Sequence, residues 1–286
     1  MKMLIVLIIH YIPKIQIKEI LIKYKLKLPK NTLYSFCMFD THCHLNFKTF
    51  QKNLPDVIKR AKNSGVDFIL VPGTDIGSSH KAIEIAANYK HIYAAVGIHP
   101  HHVYKYLAQE KNGGPPTRKL IQKDLQNLTN LVSHPKCLAI GEVGLDSFQY
   151  QNTKYTHYAI SEEFLQLQKK LLPPLIKLAL EFDKSLIIHN RQAEKDIVAI
   201  LANCWDEKLA GRVVFHCCEP KKTLLDFAIA HKIYIGIDGD ITYIKEKRKF
   251  VLEIPISQLV VETDSPYLLP EPLRKQKLFP NNNHYP

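Results

Sequence analysis

The amino-acid sequence predicts a (β/α)8 barrel, and three observations carry that prediction. Apolar runs of strand length alternate with helical patterns eight times between Phe36 and Glu262, the rhythm of such a barrel. The runs are rich in Ile, Val and Leu without polar alternation, as strands buried on both faces should be. Histidines and acids recur at the carboxyl ends of these runs, where a parallel barrel gathers its functional groups.

The strand candidates, in order, are Phe36–Thr41, Phe68–Val71, Ile92–Gly97, Leu138–Val143, Leu186–His189, Val213–His216, Ile233–Ile237 and Leu259–Glu262. Between them Pro55–Lys62 reads as a short basic helix. Ser78 and Ser79 are positioned to cap a helix running to Tyr89, with Ile83, Ala86 and Ala87 on one face. Arg118–Val132 carries Leu120, Ile121, Leu125, Leu128 and Leu131 at helical spacing. Glu162–Phe182 is long, and Pro173-Pro174 should break or kink it. Ala193–Ala202, Lys221–Ala230 and Ile244–Leu252 complete the set, and Lys111–Pro116 is the clearest loop. A doubly wound open sheet is the structural rival, but no Gly-x-Gly-x-x-Gly turn follows any strand. The sequence from Asn281 to Pro286 is not helical, so the barrel is expected to lack its final helix.

With 46% hydrophobic and 23% charged residues in 286, the composition is that of a globular chain with a full core. The formal net charge is +12, and half of it sits in Met1–Cys37, which holds seven Lys and one Glu. The remaining surplus suits an anionic partner without naming it. Residues 1–37 read as an N-terminal extension, either a leader or a secretory signal, ahead of a domain spanning 38–286. The signal would direct the chain to secretion; without it the expectation is a cytoplasmic or nuclear protein. No apolar stretch reaches membrane-spanning length. Six scattered Cys form neither a Cys-x-x-Cys pair nor a disulfide framework.

The chemistry begins at Asp40-Thr41-His42-Cys43-His44. Alternate side chains of an extended strand share a face, so His42 and His44 project together. Glu142, His189, His216 and Asp264 each fall at the end of a later run. Any one of these has a plain structural explanation, such as a satisfied core histidine or a turn-forming Asp. Together they make a set of N and O donors suited to Zn²⁺, Mn²⁺ or Mg²⁺. Six donors exceed one open site and suit two divalent metal cations sharing a carboxylate. The expected division is His42, His44 and Asp264 on one ion, His189 and His216 on the other, and Glu142 between them. Such a pair activates a water, with Asp264 placed to orient it or take its proton.

At this point the sequence resembles the TatD family of metal-dependent deoxyribonucleases, among the amidohydrolase-like barrels. The matching stretches are Phe39–His44, Gly97-Ile98-His99-Pro100-His101, Gly141–Asp146, Ile188–Arg191, Phe215-His216-Cys217 and Glu262–Tyr267. The resemblance implies hydrolysis of DNA phosphodiester bonds, often as a 3′–5′ exonuclease, and the same metal ligands. It also places His99 and His101 near the scissile phosphate, offers Arg191 as a phosphate fork, and makes Asp146 the holder of a ligand histidine or of an active-site arginine. Cys218-Glu219-Pro220 departs from the family pattern. Two rivals stand beside the nuclease: a hydrolase of a small phosphoester, amide or lactone on the same barrel, and a non-catalytic nucleic-acid-binding protein.

Overall fold

A computed structural model describes residues 37–150 and 160–276. The N-terminal extension, apart from Cys37, and the segment 277–286 lie outside the described residues. Eight parallel strands follow in chain order around a sheet: β1 Met38–Asp40, β2 Val66–Pro72, β3 Ile92–Val96, β4 Cys137–Asp146, β5 Ser185–Arg191, β6 Val213–His216, β7 Tyr234–Ile237 and β8 Leu259–Val261. The seam between β8 and β1 is closed by backbone: Thr41 N–H donates to Val261 O at 3.3 Å, His44 N–H to Ser265 O and Asp264 N–H to His42 O, both at 2.8 Å. Asp40 locks the seam further, accepting from the Thr263 hydroxyl at 2.7 Å and its amide at 3.0 Å. The result is the (β/α)8 barrel expected from the sequence.

The helices are α1 Lys48–Gln51, α2 Leu54–Asn63, α3 Ile76–Asn88, α4 Tyr104–Lys111, α5 Thr117–Val132, α6 Glu162–Glu181, α7 Glu194–Cys204, α8 Lys222–His231 and α9 Lys245–Phe250. Leu70, Ala95, Ala139 and Ile187 fill the inside of the sheet. The opposite strand faces join the helices in a larger cluster that includes Val71, Val96, Ile140, Leu172, Ile197 and Leu224. Among the described residues, no helix is long and apolar enough to cross a membrane, and all six cysteines are free thiols. Past β8 only a short 3-10 turn, Leu273–Gln276, is described.

Four expectations change or narrow. Of the break or kink expected at Pro173-Pro174 the break does not occur, and α6 runs as one helix through both prolines. A proline in a helix costs about 3 kcal/mol, yet the flanking face buries Leu171, Leu172, Leu175, Ile176 and Leu178, each stabilising by about 1.5–3 kcal/mol. Packing wins. α3 starts at Ile76, with Asp75 as its N-cap: the Asp75 carboxylate accepts from Ser78 N–H at 2.9 Å, and the Ser78 hydroxyl accepts from Asp75 N–H at 2.8 Å. Ser78 is thus the returning half of a capping box and not the cap itself. An unforeseen helix, α4, occupies the β3 connection ahead of the Lys111–Pro116 loop. Finally, β4 continues to Asp146, so Glu142 lies inside the strand and not at its end.

Candidate metal centre

The extra length of β4 comes with an irregularity that positions the site. Ile140 pairs with Leu186 and Val143 with Ile188, so one additional residue is accommodated at Gly141-Glu142. A bulge of this kind re-aims a side chain, and here Glu142 is 3% exposed among the histidines. Two glycines make room. A Cβ on Gly97 would stand 2.7 Å from the Gly141 carbonyl carbon, and one on Gly144 (φ +145°) would stand 1.9 Å from His189 O.

β1 ends before His42, but the bridge between Cys43 and Ser265 keeps the chain extended. His42 and His44 therefore do project together, their Nε2 atoms 3.2 Å apart. Glu142 Oε2 lies 3.5 Å from His42 Nε2 and 3.6 Å from His44 Nε2. Asp264 Oδ1 lies 3.7 and 3.4 Å from the same two nitrogens. Donors bonded at about 2.1 Å around a tetrahedral ion stand about 3.4 Å apart, so these spacings match a cation cage. Asp264 Oδ1 is buried without a hydrogen-bond partner among the described residues. Asp264 adopts φ +50°, a left-handed conformation uncommon for a residue with a Cβ and frequent at functional sites.

The other oxygen of Glu142 faces different imidazoles. Oε1 lies 2.8 Å from His189 Nδ1, 3.4 Å from His99 Nε2 and 3.7 Å from His216 Nε2. His216 stacks flat on His42, with ring centroids 3.5 Å apart, and its Nε2 is 3.9 Å from Asp264 Oδ1. Glu142 thus reaches imidazoles from both sides, and the donors close enough to hold a cation fall into overlapping groups: His42, His216 and Asp264; His42, His44 and Glu142; His99, Glu142 and His189.

Burial lowers the pKa of His42, His44 and His216 and pulls His99 well below the usual imidazole range. Burial acts the same way on His189, but hydrogen bonds to Asp146 and Glu142 outweigh it and push that imidazole up to about 10. Burial opposes the charge on Glu142; His99, His42 and the bond from His189 hold its carboxyl well below the ordinary value. Asp264 goes the other way, raised to about 7 chiefly by burial. His42, His44, His99 and His216 therefore offer lone pairs beside the ionised Glu142 in low dielectric, a setting for divalent cations, whereas a cation at His189 would have to displace a proton.

Around this set, Asp146 Oδ2 lies 3.0 Å from His189 Nε2 and 2.7 Å from His101 Nε2. His101 is thus turned toward Asp146, whereas His99 reaches Glu142 directly. Arg191 lies at the end of β5, its guanidinium 4.2 Å from the Phe148 ring centroid. Glu219, in the stretch that departs from the family pattern, accepts from Asn190 Nδ2 at 3.2 Å and Gln192 N–H at 2.9 Å, tying the β6 loop to β5.

Several site neighbours had no role in the sequence reading. Glu262 Oε1 lies 3.0 Å from His216 Nδ1; burial raises this carboxyl to about 7. It directly follows β8, at the strand end where the sequence reading looked for functional groups. Asp40 also accepts from His42 N–H at 3.2 Å, and burial lifts it to about 6. Lys247, 2% exposed, places Nζ 2.6 Å from Asp240 and 3.3 Å from Asp238; nothing in the basic run Lys245–Lys249 marks it as the buried member.

A (β/α)8 barrel whose mouth collects these donors has the build of a metal-dependent hydrolase, and comparisons with known proteins make it one acting on ester bonds. The family model described as TatD related DNase matches residues 39–285, and the chain belongs to that family. It is 32% identical over 250 residues to the uncharacterized metal-dependent hydrolase YabD of Bacillus subtilis, covering 87% of this chain and 88% of that protein. It is 30% identical over 239 residues to the 3′-5′ ssDNA/RNA exonuclease TatD of Escherichia fergusonii, covering 82% of each. Among solved structures, YjjV, a TatD homologue from Escherichia coli K12, superposes with a TM-score of 0.67 at 26% identity, covering 81% of this chain and 80% of that one.

Proposed function

We propose that this chain is a divalent-cation-dependent exonuclease that removes nucleotides from the 3′ end of single-stranded DNA, with RNA as a second polymer. The carrying observation is the division of Glu142, whose Oε2 faces His42 and His44 while Oε1 faces His189, His99 and His216. In this reading His42, His44 and Asp264 hold one cation, His189 and His216 hold a second, and Glu142 serves both. Bound there, two divalent cations supply an acidified water and offset the charge on the phosphate oxygens.

The protein's own groups do the rest. Asp264, whose Oδ1 is buried without a hydrogen-bond partner among the described residues and lies 3.7 and 3.4 Å from His42 and His44, is placed to orient the attacking water or take its proton. His99 stands beside Glu142 at the edge of the centre, where it meets the scissile phosphate. Arg191 presents a planar fork suited to a neighbouring phosphate, and Asp146 steadies both His101 and His189. The substrate class rests on the relatives named as ssDNA/RNA exonucleases and on the basic balance of the chain.

The test is digestion of end-labelled single- and double-stranded DNA and of RNA by chelator-stripped protein with Mg²⁺, Mn²⁺ or Zn²⁺ restored. Stepwise shortening from the 3′ end of single strands, only with metal, is expected. Binding to an uncleaved oligonucleotide should weaken steeply as salt rises, because phosphate contacts release counterions. Cleavage in the presence of excess chelator, or activity confined to small phosphoesters, would overturn the reading.

A further inference from the structure

Tyr150 follows β4, four residues beyond Asp146, and is buried at 8% exposure. Its hydroxyl donates to Asp146 Oδ2 at 2.7 Å and accepts from Arg191 Nη1 at 3.2 Å. The guanidinium also lies 5.1 Å from the Tyr150 ring centroid. Asp146 is fixed from other directions as well: its amide donates to Gln168 Oε1 at 2.8 Å, its carbonyl accepts from Gln168 Nε2 at 3.1 Å, and Oδ1 accepts from Phe148 N–H at 2.9 Å.

These bonds have a fixed direction. A guanidinium only donates and a carboxylate only accepts, so the phenol between them must accept from Arg191 and donate to Asp146. The same carboxylate oxygen faces His189 Nε2 at 3.0 Å. With the proton on that nitrogen held by Asp146, it is the Nδ1 proton, otherwise given to Glu142 Oε1, that a cation would displace to reach the lone pair. The partner of a histidine's far nitrogen sets which nitrogen is free to bind metal.

We propose that Tyr150 is a positioning residue: by holding Asp146 between Arg191 and His189, it orients His189 for the cation that His189 and His216 share. The inference rests on the two-cation reading above. It links the arginine offered to substrate phosphate with one metal pocket and leaves the other pocket alone. No feature of the sequence around Tyr150 announces this role.

The experiment is calorimetric titration of Mn²⁺ into chelator-stripped wild type, Tyr150→Phe, Asp146→Asn and the double variant, without substrate. Tyr150→Phe keeps the ring and removes only the hydroxyl. Wild type should take up two cations. In Tyr150→Phe, one of the two affinities should fall about 10-fold while the other stays unchanged, with the unfolding temperature of the metal-free protein preserved. The double variant should lose no more affinity than Asp146→Asn, since the phenol acts through that carboxylate. A wild type that binds a single cation overturns the two-cation reading and this inference with it. Two cations with both affinities unchanged in Tyr150→Phe, or additive losses in the double variant, overturn the inference alone.

Discussion

The imidazoles on the β1–β8 side of the centre are held by backbone, and those on the β5–β6 side by carboxylates. His42 and His44 share one extended segment, pinned by the bonds of His42 N–H to Asp40 and His44 N–H to Ser265. Nδ1 of His42 has no hydrogen-bond partner among the described residues. His189 and His216 come from separate strands, and each has an acid against its second nitrogen, Asp146 and Glu262 respectively. Two histidines on one strand inherit their spacing from the peptide repeat. Histidines on different strands need another device to fix ring rotation and tautomer. A metal ligand can thus be built by chain geometry or by a neighbouring acid, and the two constructions should fail differently.

Glu142 is where the two sides meet, so it should be the most sensitive position. Glu142→Ala is expected to lower the cleavage rate by about 10³-fold or more and to weaken both cation-binding events, with the circular dichroism spectrum unchanged. Cleavage near the wild-type rate with metal present would remove the shared-carboxylate assignment. Next come the backing acids. Glu262→Gln or Asp146→Asn should weaken one cation-binding event by about 10–100-fold and spare the other. Asp40→Asn, acting through backbone, should instead lower folding stability by about 1–3 kcal/mol, read by urea unfolding, with smaller changes in cation affinity. If Asp40→Asn abolished one binding event while Glu262→Gln did nothing, the contrast between the two sides would be reversed.

A finer contrast lies in pH dependence. A proton competes with a cation until the pH exceeds the pKa of the ligand in the folded state. Asp264 is raised to about 7 and His189 to about 10. Affinity on the β1–β8 side should therefore climb with pH and level off near 7, while that on the β5–β6 side keeps climbing beyond it. Titration in two buffers of different ionisation enthalpy at pH 6, 7, 8 and 9 would count the protons released. Parallel pH curves for the two events would erase the distinction.

Much of this was legible in the sequence because period and position are simple rules. His42 and His44 stand two apart. His216 closes β6 and Asp264 follows β8, so finding the strands found the donors now seen gathered at the centre. Glu142 was found by the same rule, although the strand runs on to Asp146 and it is the irregularity at Gly141-Glu142 that turns it inward. That displacement depends on which residue of β5 faces which residue of β4, a long-range register no local pattern records. α6 shows the same limit: local proline chemistry pointed to a break or a kink, and the apolar face that keeps the helix continuous works through the barrel beneath. Tyr150 and Lys247 were illegible for a related reason, since each is buried by elements that meet only in the folded chain.

The seam between β8 and β1 has a consequence for how the barrel withstands heat. Asp40 and Thr263 are 223 residues apart in sequence, and His42 and Asp264 stand next to them on opposite banks of the join. A cation gripped by that pair fastens the first staves of the cask to the last, and it does so only in the assembled form. Ligands that bind the folded state alone raise its stability by mass action, so chelation should lower the melting temperature, and restoring the metal should recover it. The hoop that keeps the cask shut would then be the same ion that the proposed chemistry uses.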